Sequence, residues 1–203
     1  DYNVTTTTVG LTSFDSDGFT VDTRTEMNDN TKLFIGWNWL AGTTTGIAGS
    51  PSITPTSYSF NQAAGFSIIK FTGTGVNATI PHGLSSAAQC VLTKSAAGND
   101  WGVYHQNADA TAPEDYAFKF NTNAIRADQV AMWNDTLPTS TLVSIGTDGR
   151  ANDSGVMVAW CFTGIQGFSK FGQYKGNGNT DGPFVFTGFR PALIITKDAD
   201  GLA

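Results

Sequence analysis

The clearest signal in the chain is an alternation of side chains two residues apart. In Val156-Met157-Val158-Ala159-Trp160-Cys161-Phe162, an extended backbone puts Val156, Val158, Trp160 and Phe162 on one face and Met157, Ala159 and Cys161 on the other. Both faces are apolar, which predicts a central strand covered on both sides. Trp37 and Trp39, Phe66 and Ile68, and Phe184 and Phe186 stand in the same two-residue relation. Trp37, Trp39 and Trp160 are therefore read as core residues. Gly73-Thr74-Gly75 and Gly176-Asn177-Gly178 punctuate these runs as turns. A helix is expected only near Asn123 to Trp133, where Ala124 to Gln129 tolerates one.

The pattern also repeats. Leu33 to Gly42 matches Val156 to Gly164, and Gly65-Phe66-Ser67 with Phe71 to Gly75 matches Gly167-Phe168-Ser169 with Tyr174 to Gly178. Val91-Leu92-Thr93-Lys94 then matches Ile194-Ile195-Thr196-Lys197, and the lead-in Gly18 to Thr23 matches Leu142 to Thr147. Blocks recurring in one order mark a structural unit used twice. The first copy carries an insertion, Thr43 to Ala64, rich in Thr, Ser, Gly and Pro, which reads as an exposed loop or a pair of edge strands. The expectation is one all-β module over residues 1–203, a jelly-roll-like β-sandwich built from two related repeats. Repeat one spans about 18–94, a non-repeated segment about 95–140, and repeat two about 141–197.

Composition agrees and narrows the function. Of 203 residues, 14% are charged against roughly 25% in typical soluble domains, while Gly (23) and Phe (14) are plentiful. The net charge of -6 comes with no Lys/Arg cluster able to displace phosphate counterions, so no nucleic-acid partner is expected. No apolar run approaches the length of a membrane span, so no membrane insertion is expected. The chain starts at Asp1 rather than Met and stops just after an apolar strand-like run, which suggests excision from a longer polypeptide. Cys90 and Cys161 both lie in apolar runs and read as small buried hydrophobes rather than as a disulfide or a metal site.

Catalysis should leave a constellation of acid, base and nucleophile. The two histidines, His82 and His105, sit in a turn and an alternating strand, and no Gly-x-Ser-x-Gly elbow accompanies them. Both read as structural. Glu26 and Glu114, the two glutamates, lie in polar loops, and the aspartates flank Gly, Asn or Ser as turn residues do. No catalytic residue and no metal ligand is assigned. Asp15-Ser16-Asp17-Gly18 and Asp198-Ala199-Asp200-Gly201 offer oxygen ligands to Ca²⁺ but lack the further acids and spacing of an EF-hand, so no cofactor is expected. The candidate binding residues are the polar-tipped rings of the non-repeated segment, Trp101, Tyr104, His105, Tyr116 and Trp133, a potential platform for a sugar.

The chain resembles a β-rich domain family that recurs in structural proteins of tailed bacteriophages, notably marine ones, often beside laminin-G-like lectin modules. Val156 to Phe162 and the block Gly167-Phe168-Ser169-Lys170-Phe171-Gly172-Gln173-Tyr174-Lys175-Gly176-Asn177-Gly178 carry the likeness, which continues through Asp181 to Ala192. Gly65-Phe66-Ser67, Pro81 to Leu84, Trp101 with Tyr104-His105, and Trp133 to Thr136 extend it along nearly the whole chain. Ala87-Ala88-Gln89-Cys90 is more polar than the usual strand there, which suggests an edge or an altered interface. The resemblance implies a virion protein at the particle surface: a tail or head fibre, an appendage or a capsid decoration. Its expected partners are copies of itself, other virion proteins and, for host attachment, a host-surface glycan. A lectin-like receptor-binding module and a polysaccharide depolymerase are the alternatives.

Overall fold

The computed structural model describes residues 10–36 and 38–201. The chain divides into two compact units, Asp1–Trp39 and Leu40–Ala203. In the first, β1 (Leu11–Phe14) and β2 (Phe19–Val21) pair as an antiparallel hairpin, and one helical turn, α1 (Thr25–Asn28), follows. Asp15 closes the hairpin by accepting from Ser13 Oγ at 2.9 Å and Thr20 Oγ1 at 2.8 Å. Asp22 starts the helical turn by accepting the Arg24 N–H at 2.8 Å. Both are the local backbone-shaping roles expected of Asp in turns.

The second unit contains β3 (Ser57–Asn61), β4 (Phe66–Thr72), β5 (Ala78–Pro81), β6 (Cys90–Ser95), β7 (Gly102–His105) and β8 (Tyr116–Lys119). Next come β9 (Ala127–Asp128), α2 (Val130–Trp133), β10 (Leu142–Ile145), α3 (Gly149–Asn152) and β11 (Val156–Phe162). With 28% of residues in strands and 7% in helices, the fold is all-β. Seven strands form one antiparallel sheet in the order β3-β4-β11-β6-β7-β8-β9, and β10 pairs with β5 in a separate two-stranded piece. One face of the large sheet supplies Ile69, Phe71, Val91, Tyr104, Met157, Ala159 and Cys161 to the core. Ile80, Val143 and Ile145 from β5 and β10, with Met132, Trp133 and Ala151 from the helical turns, pack against them. Fully burying a side chain of the Val-to-Phe size stabilises the fold by about 1.5–3 kcal/mol.

β11 is the central strand that its sequence predicts, but its two faces differ. Met157, Ala159 and Cys161 are fully buried, whereas Val158, Trp160 and Phe162 are half-buried and Val156 is exposed. Trp160 therefore lies on the outer face of the sheet and not in the core. The matching stretch of repeat one behaves differently again. Leu33–Gly36 and Asn38–Gly42 form no strand, Trp39 is exposed, and Trp37 lies outside the described residues. The helix expected near Asn123 to Trp133 is confined to α2 at the end of that range, with Ala124 to Arg126 non-helical and β9 between. The insertion supplies one edge strand, β3, tied back to Thr43, and Ile53 from its loop is buried in the core. Gln89-Cys90 is not at an edge: β6 lies between β11 and β7, and Gln89 Oε1 accepts the Gly164 N–H at 2.8 Å.

Two equivalent sandwich halves are not what the described residues form. The lead-in is a strand in both copies, as β2 and β10, but with different partners, β1 and β5. The other three blocks each become a strand in one copy alone: Val156–Phe162 from repeat two, Phe66–Thr72 and Cys90–Ser95 from repeat one. Those three strands are neighbours, β4-β11-β6, with β11 in continuous register against both. A strand of the second copy thus sits between two strands of the first.

A buried side chain locks this interleaving. Asn152, fully buried at the end of α3, reaches the Gly73-Thr74-Gly75 turn of repeat one. Its Oδ1 accepts the Thr74 N–H at 2.8 Å, and its Nδ2 donates to Val76 O at 2.5 Å and Gly146 O at 3.0 Å. Gly73 is required by this close approach, since a Cβ there would fall 1.9 Å from Asp153 O. Asn152→Ala removes three hydrogen bonds and leaves the buried Gly146 carbonyl unsatisfied, at about 1–3 kcal/mol for the stranded group. The expected result is a lowered urea midpoint at unchanged slope, worth about 3 kcal/mol; a midpoint within error of the parent would refute the clamp.

Candidate functional site

The outer face of the sheet carries a band of aromatic rings. β11 contributes Trp160 and Phe162, two apart and so on one side, and the antiparallel register sets Phe66 opposite Phe162 and Leu92 opposite Trp160. Trp101, just before β7, stacks on Trp160 with centroids 5.0 Å apart and planes 28° apart, and Phe120 lies 6.2 Å from Trp101. At the other end Phe162 lies 5.1 Å from Phe66 and 5.8 Å from Phe171, which in turn lies 6.4 Å from His105. The Trp101 main chain is held in place: its backbone N–H donates to Asn121 Oδ1 at 3.0 Å, and Asn121 Nδ2 donates to Asp100 at 3.0 Å. Lys119 completes the corner, 2.8 Å from Asp100, and holds that carboxyl below its usual range. The Lys94 ammonium lies 6.0 Å over the Trp101 ring. Phe66 is buried, and Trp101, Phe120, Trp160, Phe162 and Phe171 are half-buried.

The sequence candidates separate on this geometry. Trp101 and His105 lie on the outer face, while Tyr116 is half-buried near a different edge, with the Arg126 guanidinium 4.9 Å over its ring. Tyr104 and Trp133 are core residues, packed edge to face at 5.9 Å, and neither offers a ring to solvent. Burial pushes the Tyr104 hydroxyl up to about 12, with the Glu114 charge adding to it. Trp160, Phe162, Phe120 and Phe171 complete the band although none was singled out as a surface candidate. The alternation in β11 puts Trp160 and Phe162 on one face, but which face meets the core is decided by Met157, Ala159 and Cys161 filling it.

Both histidines are engaged structurally. His82 is fully buried, with Nε2 3.1 Å from the Thr139 carbonyl and Nδ1 accepting the Leu84 N–H at 3.1 Å. His105 Nδ1 accepts the Asn107 N–H at 3.1 Å. Glu114 lies in a 3-10 turn, Pro113–Asp115, and the Glu26 side chain is outside the described set. Cys90 and Cys161 are free and buried, and burial pushes both thiols up to about 12, far from the reactive thiolate. Asp198 caps its own turn, accepting the Asp200 and Gly201 N–H groups at 3.1 Å each. Among the described residues no group of three or more His, Cys, Asp or Glu gathers as metal ligands would. No helix among them is long and apolar enough to cross a membrane.

The histidines make stability depend on pH. Burial lowers the pKa of His82, opposed by the Thr139 carbonyl, and burial lowers that of His105. Each ring binds its proton more readily in the unfolded chain than in the fold. The stabilisation is therefore complete above the unfolded value of 6.5 and is lost as pH falls through the lower folded values. The urea midpoint should drop between about pH 7.5 and about pH 5.5, and His82→Gln should flatten part of that slope. An unchanged slope in the variant would show that His82 is not a source of it.

The comparisons with known proteins add one relationship. No curated protein and no solved structure matches the chain. A family profile described as a domain of unknown function, DUF7483, matches residues 1–203 throughout, and the chain belongs to that family.

Proposed function

We propose that the chain is a non-enzymatic structural module of a bacteriophage particle, in a fibre, an appendage or a shell decoration at the virion surface. In this reading it works by packing against copies of itself and neighbouring virion proteins. The phage setting rests on the resemblance of the Gly167 to Pro191 block. The packing role is supported by one observation above others: large apolar side chains are exposed in two stretches. Leu33 is 92% exposed and Ile35 82% in one, and Phe184 88% and Ile194 71% in the other. Scattered exposed apolar residues are ordinary, but runs of them mark contact surfaces. The finer architecture belongs to the same proposal: a jelly-roll-like sandwich of two related repeats, completed when these stretches are covered. Light scattering over a concentration series is expected to show species heavier than the 21.5 kDa chain. A strict monomer throughout would defeat the reading.

The aromatic band favours a second reading, a lectin-like module for a host-surface glycan. Trp101 and Trp160 form its stacked centre. If a glycan docks there, its titration quenches tryptophan fluorescence, and Trp101→Ala weakens binding by about tenfold, the loss of one ring stack. A blank glycan array removes this reading and leaves the first standing. The depolymerase reading draws no support from His82, since both its ring nitrogens are already engaged.

A further inference from the structure

We propose that residues 19–42 of one copy complete the strand layer of residues 167–197 in a second copy, in the register that β11 adopts against β6. This rests on the packing role just proposed and names its mode: strand exchange between copies, head to tail.

The argument starts from the interleaved repeats. β11 is the second-copy version of residues 33–42, and it lies between β4 and β6, the first-copy versions of 167–174 and 194–197. Swapping repeat labels in that arrangement puts 33–42 between 167–174 and 194–197. In this structure neither side of that pairing is made. Leu33–Gly36 forms no strand, nor does Lys170–Lys197, although the same patterns are central strands elsewhere in the chain. An apolar extended segment outside any strand ladder is the template for strand addition.

The receiving side has the matching shape. A groove of about 540 Å³ is lined by Tyr174, Phe184, Phe186, Phe189, Pro191 and Ile194. Tyr174 and Ile194 hold the places of Phe71 and Val91, which are fully buried and stand opposite Met157 and Cys161 of β11. Two of the groove's residues thus hold the places of residues that elsewhere close over an inserted strand. The clamp is duplicated as well. Asn28-Asp29 stands before Leu33 much as Asn152-Asp153 stands before Val156, and Gly176-Asn177-Gly178 repeats the turn that Asn152 holds. Nothing lies within 4 Å of a Cβ built on Gly176, where Gly73 is crowded.

Charge favours the same pairing. In a chain of net charge -6, residues 167–197 carry +3, from Lys170, Lys175, Arg190 and Lys197 against Asp181. Residues 19–42 carry -1, from Asp22, Glu26 and Asp29 against Arg24 and Lys32. Each copy so presents one acidic strand donor and one basic acceptor. That is a heterologous interface, which repeats head to tail.

The register supplies the test. Ile35 and Lys197 hold the places of Val158 and Lys94, which are directly opposite in the β11–β6 pair. Ile35→Cys and Lys197→Cys are prepared as separate full-length proteins, mixed, and oxidised with a glutathione couple; the buried native thiols stay out of the exchange. A disulfide-linked heterodimer in clear excess over either homodimer is expected, and high salt during mixing should reduce it. No heterodimer, or no excess over homodimers, overturns the proposal. So does a doubly substituted chain whose two cysteines close only on each other, which would assign the pairing to a single molecule. Oligomers that persist in light scattering without this cross-link sink the strand register alone; a strict monomer sinks the packing role with it.

Discussion

The structure depends on β11 having a partner on each side. A strand in the middle of a sheet satisfies its backbone donors and acceptors through two ladders, and a buried backbone group left unpaired costs about as much as a lost hydrogen bond. Val156 to Phe162 gains both ladders, from Phe66–Thr72 and from Cys90–Ser95. Because its partners lie some sixty or more residues earlier in the chain, this one insertion joins distant parts of the sequence into one core. The buried row Met157, Ala159 and Cys161 then meets Ile80, Val143 and Ile145 of the β5–β10 pair. Where the same sequence pattern lacks two ladders, at Leu33–Gly36, it forms no strand at all.

The polar residues inside the fold follow from that insertion. Bringing α3 against the Gly73-Thr74-Gly75 turn buries backbone groups that a strand ladder cannot reach, and the carboxamide of Asn152, with both donors and acceptors, serves them together. His82 does similar work where β5 leaves the sheet, bridging the Leu84 N–H and the Thr139 carbonyl. Neither residue needs a catalytic explanation. Each is a small polar device, Asn152 where the two repeats meet and His82 where repeat one meets the non-repeated segment. The aromatic band on the other face is the counterpart: rings that the core has no room for, held in contact with one another at half exposure.

Much of the fold was legible in the sequence, and its failures are instructive. Two-residue alternation identified Val156 to Phe162 as a central strand, and self-similarity identified its partners' families of sequence. What neither could supply was pairing. Strand alternation says which residues share a face, not which face meets the core; in β11 the smaller set, Met157, Ala159 and Cys161, went inward and left Trp160 outside. Trp133 and Tyr104 were read as surface candidates because they lie in the non-repeated segment, but their rings pack edge to face in the core beneath the sheet. Trp101 lies half-buried on the outer face, and its stacking partner Trp160 comes from a strand read as core; only register joins them.

Duplication usually yields two domains that each close on themselves. Here the stretches that match in sequence are out of phase with the layer that packs. A sequence repeat runs from lead-in through the tryptophan ribbon to the Thr-Lys strand, whereas the packed layer takes its ribbon from the next repeat along. A single repeat thus has no complete core, as holds generally for repeats that bury their apolar face only on a neighbour. Under the proposed strand exchange, the apolar strand sequence at the two ends of this arrangement is buried by a second copy. Those ends carry opposite charge, -1 over residues 19–42 and +3 over residues 167–197, so the exchange would join ends of opposite sign.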